Sequence, residues 1–162
     1  MIHEKVDVLQ RLIGTWEGYG QAEYPTIATT RYREVLTFRS HTDKPILQVE
    51  QKTWRLHTDL SESLLHWEFG FIRQIDEDRY DWTNTQNNGR VEVMRGRFLV
   101  EGQSMMGDFS TETFANDPRM IQAVRRLVMD GDQLNYSLSM ATTAHSSLHI
   151  HLDGKLKRTI SP

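Results

Sequence analysis

Residues Gly14–Ile27 read GTWEGYGQAEYPTI, and this stretch limits what the chain can become. Gly14, Gly18 and Gly20 leave the backbone uncovered or free to bend, while Trp16, Tyr19 and Tyr24 carry large amphipathic rings. Pro25 fixes one backbone angle ahead of Thr26 and Ile27. Glycines this dense weaken a strand, yet the residues between them favour one. Two readings fit. One is a first strand under strong curvature, where a barrel closes or a ligand lies against the backbone. The other is a glycine-rich turn between two ordinary strands.

The rest of the chain alternates short strand patterns with turn signals. Upstream, Val6, Leu9, Leu12 and Ile13 fall on one face of a helix over 3–13, with Gly14 placed to end it. So short a helix needs a surface to pack on, such as one end of a barrel. Downstream, strands are expected at Thr29–Arg39, Pro45–Leu56, Leu64–Ile75, Arg79–Thr85 and Arg90–Val100. Further strands are expected at Asp108–Phe114, Gln133–Thr143 and Ser147–Arg158, with Gln103–Gly107 read as a loop. Met120–Met129 has helical propensity, but its Val and Ile content and its place between hairpins favour a strand. Asn87–Gly89 and Asp130–Asp132 are hairpin turns. In Pro45–Leu56 neither face is cleanly apolar, which suits a rim or a semi-polar interior. The sum is an all-β chain of about ten antiparallel strands with one short N-terminal helix. A closed barrel removes sheet edges and can enclose a ligand; a sandwich is the alternative.

With 162 residues the expectation is a single domain over 1–162. There is no cysteine, so disulfides, thiolate metal sites and cysteine nucleophiles are excluded. A net charge of −3 with both signs mixed along the chain argues against nucleic acid as a partner. No apolar run is long enough for a membrane span or a signal region, so a cytoplasmic protein is expected. No P-loop, dinucleotide fingerprint, zinc-protease motif or nucleophile elbow is present.

The seven histidines carry more information. His149 and His151 sit two apart on a strand, on one face with Asp153 and Lys155, roughly 6–7 Å apart. A neutral imidazole there could ligate a metal or a haem iron; the bland reading is a solvated face. Leu148, Ile150 and Leu152 would share the opposite face with Gly154 and Leu156. His66 lies in an apolar strand beside Glu68 on the same face, and Glu68 with Arg73 could form a rim or interior polar network.

Taken together, these blocks resemble the nitrobindin family of haem-binding β-barrels. The opening stretch follows its glycine–tryptophan signature at Gly14, Trp16, Gly18, Gly20, Tyr24, Pro25, Thr26 and Ile27, with Ala22 where the family has a further glycine. Tyr32 and Glu34, then Gln51–Trp54, continue it. So do Leu65, His66, Glu68, Gly70, Phe71 and Arg73, Val91–Val93 before Gly96, and Leu134, Tyr136 and Met140–Thr142. The similarity runs from about Leu9 to Arg158. It implies a lipocalin-like or fatty-acid-binding-protein-like barrel holding one b-type haem on a single histidine. His151, Leu152, Gly154, Leu156 and Arg158 match the family's final-strand pattern, which makes His151 the expected iron ligand and His149 the runner-up. Thr26, Ile27, Met140 and His66 are the expected cofactor-lining residues. The resemblance further implies ferric haem, reversible binding of nitric oxide and conversion of peroxynitrite to nitrate. It allows a homodimer. The alternative is a haem-free carrier of a fatty acid or other small apolar ligand. In either case Gly18 and Gly20 are expected to admit a flat ligand near the backbone.

Overall fold

A computed structural model describes residues 8–41 and 44–160. Its ten strands are β1 (Gly14–Tyr24), β2 (Ile27–Arg39), β3 (Ile46–Leu56), β4 (Glu62–Gln74) and β5 (Tyr80–Gln86), then β6 (Val91–Glu101), β7 (Ser104–Ala115), β8 (Met120–Asp130), β9 (Gln133–Thr142) and β10 (His149–Ile160). Each pairs antiparallel with the next, and β1 also pairs with β10, closing the barrel. The expected all-β barrel is therefore the observed one, and the segment over 120–129 is a strand. The supposed loop at Gln103–Gly107 is instead the start of β7, with Gly102 in the tight turn before it. Met105 there is a core residue, and a single short apolar position between glycines gives little sequence signal.

The N-terminal helix is described at its last turn, residues 8–10; the earlier part of the predicted segment lies outside the described residues. Leu9 and Leu12 are buried in the core, so this segment plugs one barrel end. Trp16 Nε1 donates to the Leu12 carbonyl at 2.8 Å. Arg158 stacks over the Trp16 ring at 4.1 Å and donates to the Ile13 and Arg11 carbonyls. These bonds satisfy carbonyls that the helix end leaves open. Gly14 follows with φ of 134°, a backbone region that strains any residue with a side chain, and the chain turns there into β1.

Along each strand the inward residues change character in the same order. At the plugged end they are apolar: Trp16, Phe38, Leu47, Ile72, Trp82, Phe109, Leu134 and Leu156 are essentially inaccessible. One pleat further on they are polar: Glu34, Gln51, Glu68, Asn84, Glu92 and Arg125, all buried, with the Tyr136 hydroxyl. Beyond this belt the barrel interior opens into a cavity at the far end. The semi-polar interior expected for the third strand is this transition, with Leu47 and Val49 in the core and Gln51 and Thr53 in the belt.

The glycines of the opening stretch serve the wall and not a ligand. A Cβ at Gly18 would lie 2.0 Å from the Lys155 carbonyl oxygen, so β1 and β10 approach closely there. Gly20 faces Gly154 across the ladder. A Cβ at Gly20 would meet the Tyr32 ring at 2.3 Å, and one at Gly154 the Tyr136 ring at 2.4 Å. The space expected for a flat ligand is filled by two tyrosines.

Candidate functional site

The open end holds two adjoining chambers of about 220 and 370 Å³ that share Ile27, Arg90, Met120, Met140 and His151. Small-molecule sites occupy roughly 300–1,000 Å³, and the two chambers together fall within that span. The inner chamber is walled by Ala22, Ile27, Leu65, Leu138, Met140 and Leu152, and floored by Tyr32, Glu68, Glu92 and Arg125. The outer chamber reaches the mouth at Thr26, Arg119 and Thr142. All five residues singled out from the sequence border this space: His151, Ile27 and Met140 both chambers, His66 the inner, Thr26 the outer. Ala22, which stands where the family has glycine, points its methyl into the inner chamber and narrows it.

Simple alternation misplaces the last strand. Ile150 pairs with Ser139 and Leu152 with Leu138, so His151 is an extra residue, a β-bulge. The bulge turns His151 inward beside Leu152, while Ile150 is 61% exposed. His149 lines neither chamber; its Nε2 lies 3.2 Å from the Ser147 hydroxyl on the outside. The two histidines therefore do not act as a facing pair. A second bulge on β4 leaves Leu65 unpaired between Leu64 and His66. It brings Leu65 into the chamber and turns Leu64 out, the reverse of the alternation read from sequence.

His151 is fixed by its surroundings. Its Nδ1 lies 2.8 Å from the Glu23 carbonyl oxygen. A carbonyl only accepts, so Nδ1 carries the proton and the neutral ring keeps its lone pair on Nε2. Burial lowers the pKa of His151, opposed by the Glu23 bond and helped by Arg90 and His66. Tyr24 packs edge-on against His151, His145 and His149 and bonds Thr142 Oγ1 at 3.1 Å, which holds the bulge from behind.

Two hydrogen-bonded groups make up most of the belt. Arg125 grips Glu68 with two bonds of 2.6 and 3.2 Å and stacks over Trp82 at 4.5 Å. His66 Nε2 lies 3.1 Å from the same carboxylate. Although burial opposes it, Arg125 holds the Glu68 carboxyl well below the usual carboxylate range, with His66 adding to the effect. The His66–Glu68 bond is as expected. Arg73 takes no part: it lies outside the barrel on Asp81, because its parity is that of Trp67 and Phe71. In the second group Tyr136 donates to Glu34 Oε2, and Gln51 donates to Glu34 Oε1 at 2.6 Å. The Tyr32 and Tyr136 hydroxyls are 2.7 Å apart. Arg125 and Tyr136 escaped sequence reading. A lone Arg in an apolar run and a Tyr in an alternating strand look the same whether they face a belt or solvent. At the mouth, Arg90 and Arg119 both bond Asp117, whose carboxyl they hold far below its usual range.

Comparison with known proteins places this geometry. Residues 5–158 match the THAP4-like, heme-binding beta-barrel domain. A protein of Arabidopsis thaliana named peroxynitrite isomerase Rv2717c is 33% identical over 157 residues, covering 97% of this chain and 90% of its own length. Peroxynitrite isomerase 1 of Mycolicibacterium paratuberculosis (strain ATCC BAA-968 / K-10) is 34% identical over 160 residues, covering 97% and 96%. The crystal structure of Rv2717c from M. tuberculosis superposes with a TM-score of 0.88 at 28% identity, over 96% of this chain and 98% of that one.

Proposed function

The chain belongs to the THAP4-like family of haem-binding β-barrel domains, homologous to peroxynitrite isomerases, and from that premise we propose that it holds one b-type haem on His151 and isomerises peroxynitrite to nitrate. The observation that carries this reading is the bulged His151, with Nδ1 tied to the Glu23 carbonyl and Nε2 left as a donor nitrogen bordering the cavity. A second ring nitrogen hydrogen-bonded to a carbonyl is the usual support for a metal-bound imidazole.

The rest of the chamber fits the group. Ile27, Met120, Met140 and Leu152 offer apolar walls to a porphyrin, and Thr26 and His66 border it. Arg90 and Arg119 at the mouth suit its carboxylates. Bound there, ferric haem supplies an electrophilic iron for nitric oxide or peroxynitrite. The chain keeps the imidazole neutral, orients it, and limits access to the open end. No helix among the described residues is long and apolar enough to cross a membrane. A chain without cysteine does not depend on disulfides, which suits the cytoplasm. A homodimer would have the outward Trp67, Phe69 and Phe71 of β4 to bury.

Haemin titration tests the assignment. A Soret band should form with the wild type and with His149→Ala, and be lost or strongly shifted with His151→Ala. Equal spectra for all three proteins would remove His151 as the ligand. Absence of any band, with retention of a fluorescent fatty acid, would make the chain an apolar carrier instead.

A further inference from the structure

Glu34 is fully buried and has no cation in direct contact. Its oxygens meet only Tyr136 and the Gln51 amide. From Tyr136 one more bond leads to Tyr32, and Tyr32 borders the inner chamber. Three groups thus link a sealed carboxyl to the chamber floor. We propose that Glu34, Tyr136 and Tyr32 are a proton-transfer chain that serves a small oxyanion, or its conjugate acid, in the inner chamber. The assignment rests on that chamber receiving a small ligand.

The direction of donation follows from donor counting. With Glu34 ionised, Tyr136 donates to Glu34 and Tyr32 donates to Tyr136, so Tyr32 offers the chamber a lone pair. With Glu34 neutral, its O–H donates to Tyr136, Tyr136 donates to Tyr32, and Tyr32 points its O–H into the chamber. Gln51 donates in both states, to Glu34 and, at 3.3 Å, to Tyr136. Delivery moves three protons by one bond each. Tyr32 protonates the anion, Tyr136 restores Tyr32, and Glu34 restores Tyr136 and is left as carboxylate. No electron changes hands, and a proton from the cavity resets the chain by the same steps reversed.

The surroundings suit the role. Burial raises the Glu34 carboxyl to about 7, against the opposing bonds from Tyr136 and Gln51. Glu68 on β4 raises it further and Arg125 on β8 lowers it. Burial and the Glu34 charge push both phenols above their usual range, so they relay protons without ionising. Asp153 on β10 adds to this at Tyr32. Gly20 and Gly154, by leaving room for the two rings, are what let the hydroxyls meet.

Infrared and Raman spectra of the haem-free protein test the chain between pH 5 and 9. A carbonyl band of a buried carboxylic acid should disappear with one inflection near neutrality, and be absent in Glu34→Gln. The Raman doublet of Tyr32, isolated by subtracting Tyr32→Phe, should pass from donor-like to acceptor-like over the same pH range. Tyr136→Phe should shift the Glu34 inflection and abolish the Tyr32 change. Tyr32→Phe leaves the carboxyl contacts intact, so it should keep the infrared band. A band that persists in Glu34→Gln, or a Tyr32 doublet that ignores pH, would overturn the proposal. Haem affinity is read separately from the Soret band, so failure of the haem assignment leaves these spectra unaffected and is distinguished from failure of the chain.

Discussion

Gly20 and Gly154 face each other across β1 and β10, and each yields its side-chain space to a tyrosine. Gly20→Ala forces the Tyr32 ring away from Tyr136. Overpacking of this kind costs about 1–3 kcal/mol, and urea denaturation should show it. Combining Gly20→Ala with Tyr32→Leu should recover part of the loss, because the two residues compete for one space. Equal losses in the single and double variants would mean that the wall, and not the ring, resists the methyl. His151 and His149 make the complementary point. Sequence parity places them on one face, yet a single unpaired residue in the ladder separates their roles. A bulge depends on pairing with the neighbouring strand, so nothing in residues 147–158 alone announces it.

At the scale of elements, the irregular pairings gather towards the open end. They occur at Glu23 on β1, Leu65 on β4, Ile121 on β8 and His151 on β10. Bulges bend a strand and re-aim its side chains, so the strands diverge where the cavity is needed. The plugged end has the opposite character. Leu12 is wholly buried there, and its carbonyl accepts from Trp16. Leu12→Ala leaves that hydrogen bond in place but opens a void. The expected cost is about 2–5 kcal/mol in chemical denaturation, with haem affinity unchanged because the belt lies between. Loss of haem binding without loss of stability would show that the plug and the cavity are coupled. The plug was legible in the sequence because Leu9 and Leu12 share a helical face and Gly14 closes the turn. The cavity-end bulges were not, because each is a property of two strands.

For the whole molecule, the belt sets how stability depends on pH. The folded Glu34 carboxyl is raised to about 7, so the native state binds its proton more tightly than the unfolded chain. Stability from this group therefore falls as pH climbs from the ordinary carboxylate range to about 7. At about 1.4 kcal/mol per unit, the loss is on the order of 3 kcal/mol. Glu68 acts in the opposite sense: its folded pKa is depressed, so its contribution is full above the ordinary carboxylate range and disappears on further acidification. Urea midpoints should peak in mildly acidic buffer, and Glu34→Gln should flatten the decline towards pH 7 while keeping the acid limb. An unchanged neutral limb in that variant would refute the assignment. By itself the sequence determined the all-β class, the strand count, the helical plug and the cavity-lining set of Thr26, Ile27, His66, Met140 and His151, because period-two patterns, turn residues and family motifs are local. Tertiary structure alone decided that Arg125 meets Glu68 from 57 positions away, that Tyr136 reaches Glu34 across 102, and that His151 turns inward. Those contacts arise only when the sheet closes on itself, since closure sets which pleats face one another across the barrel.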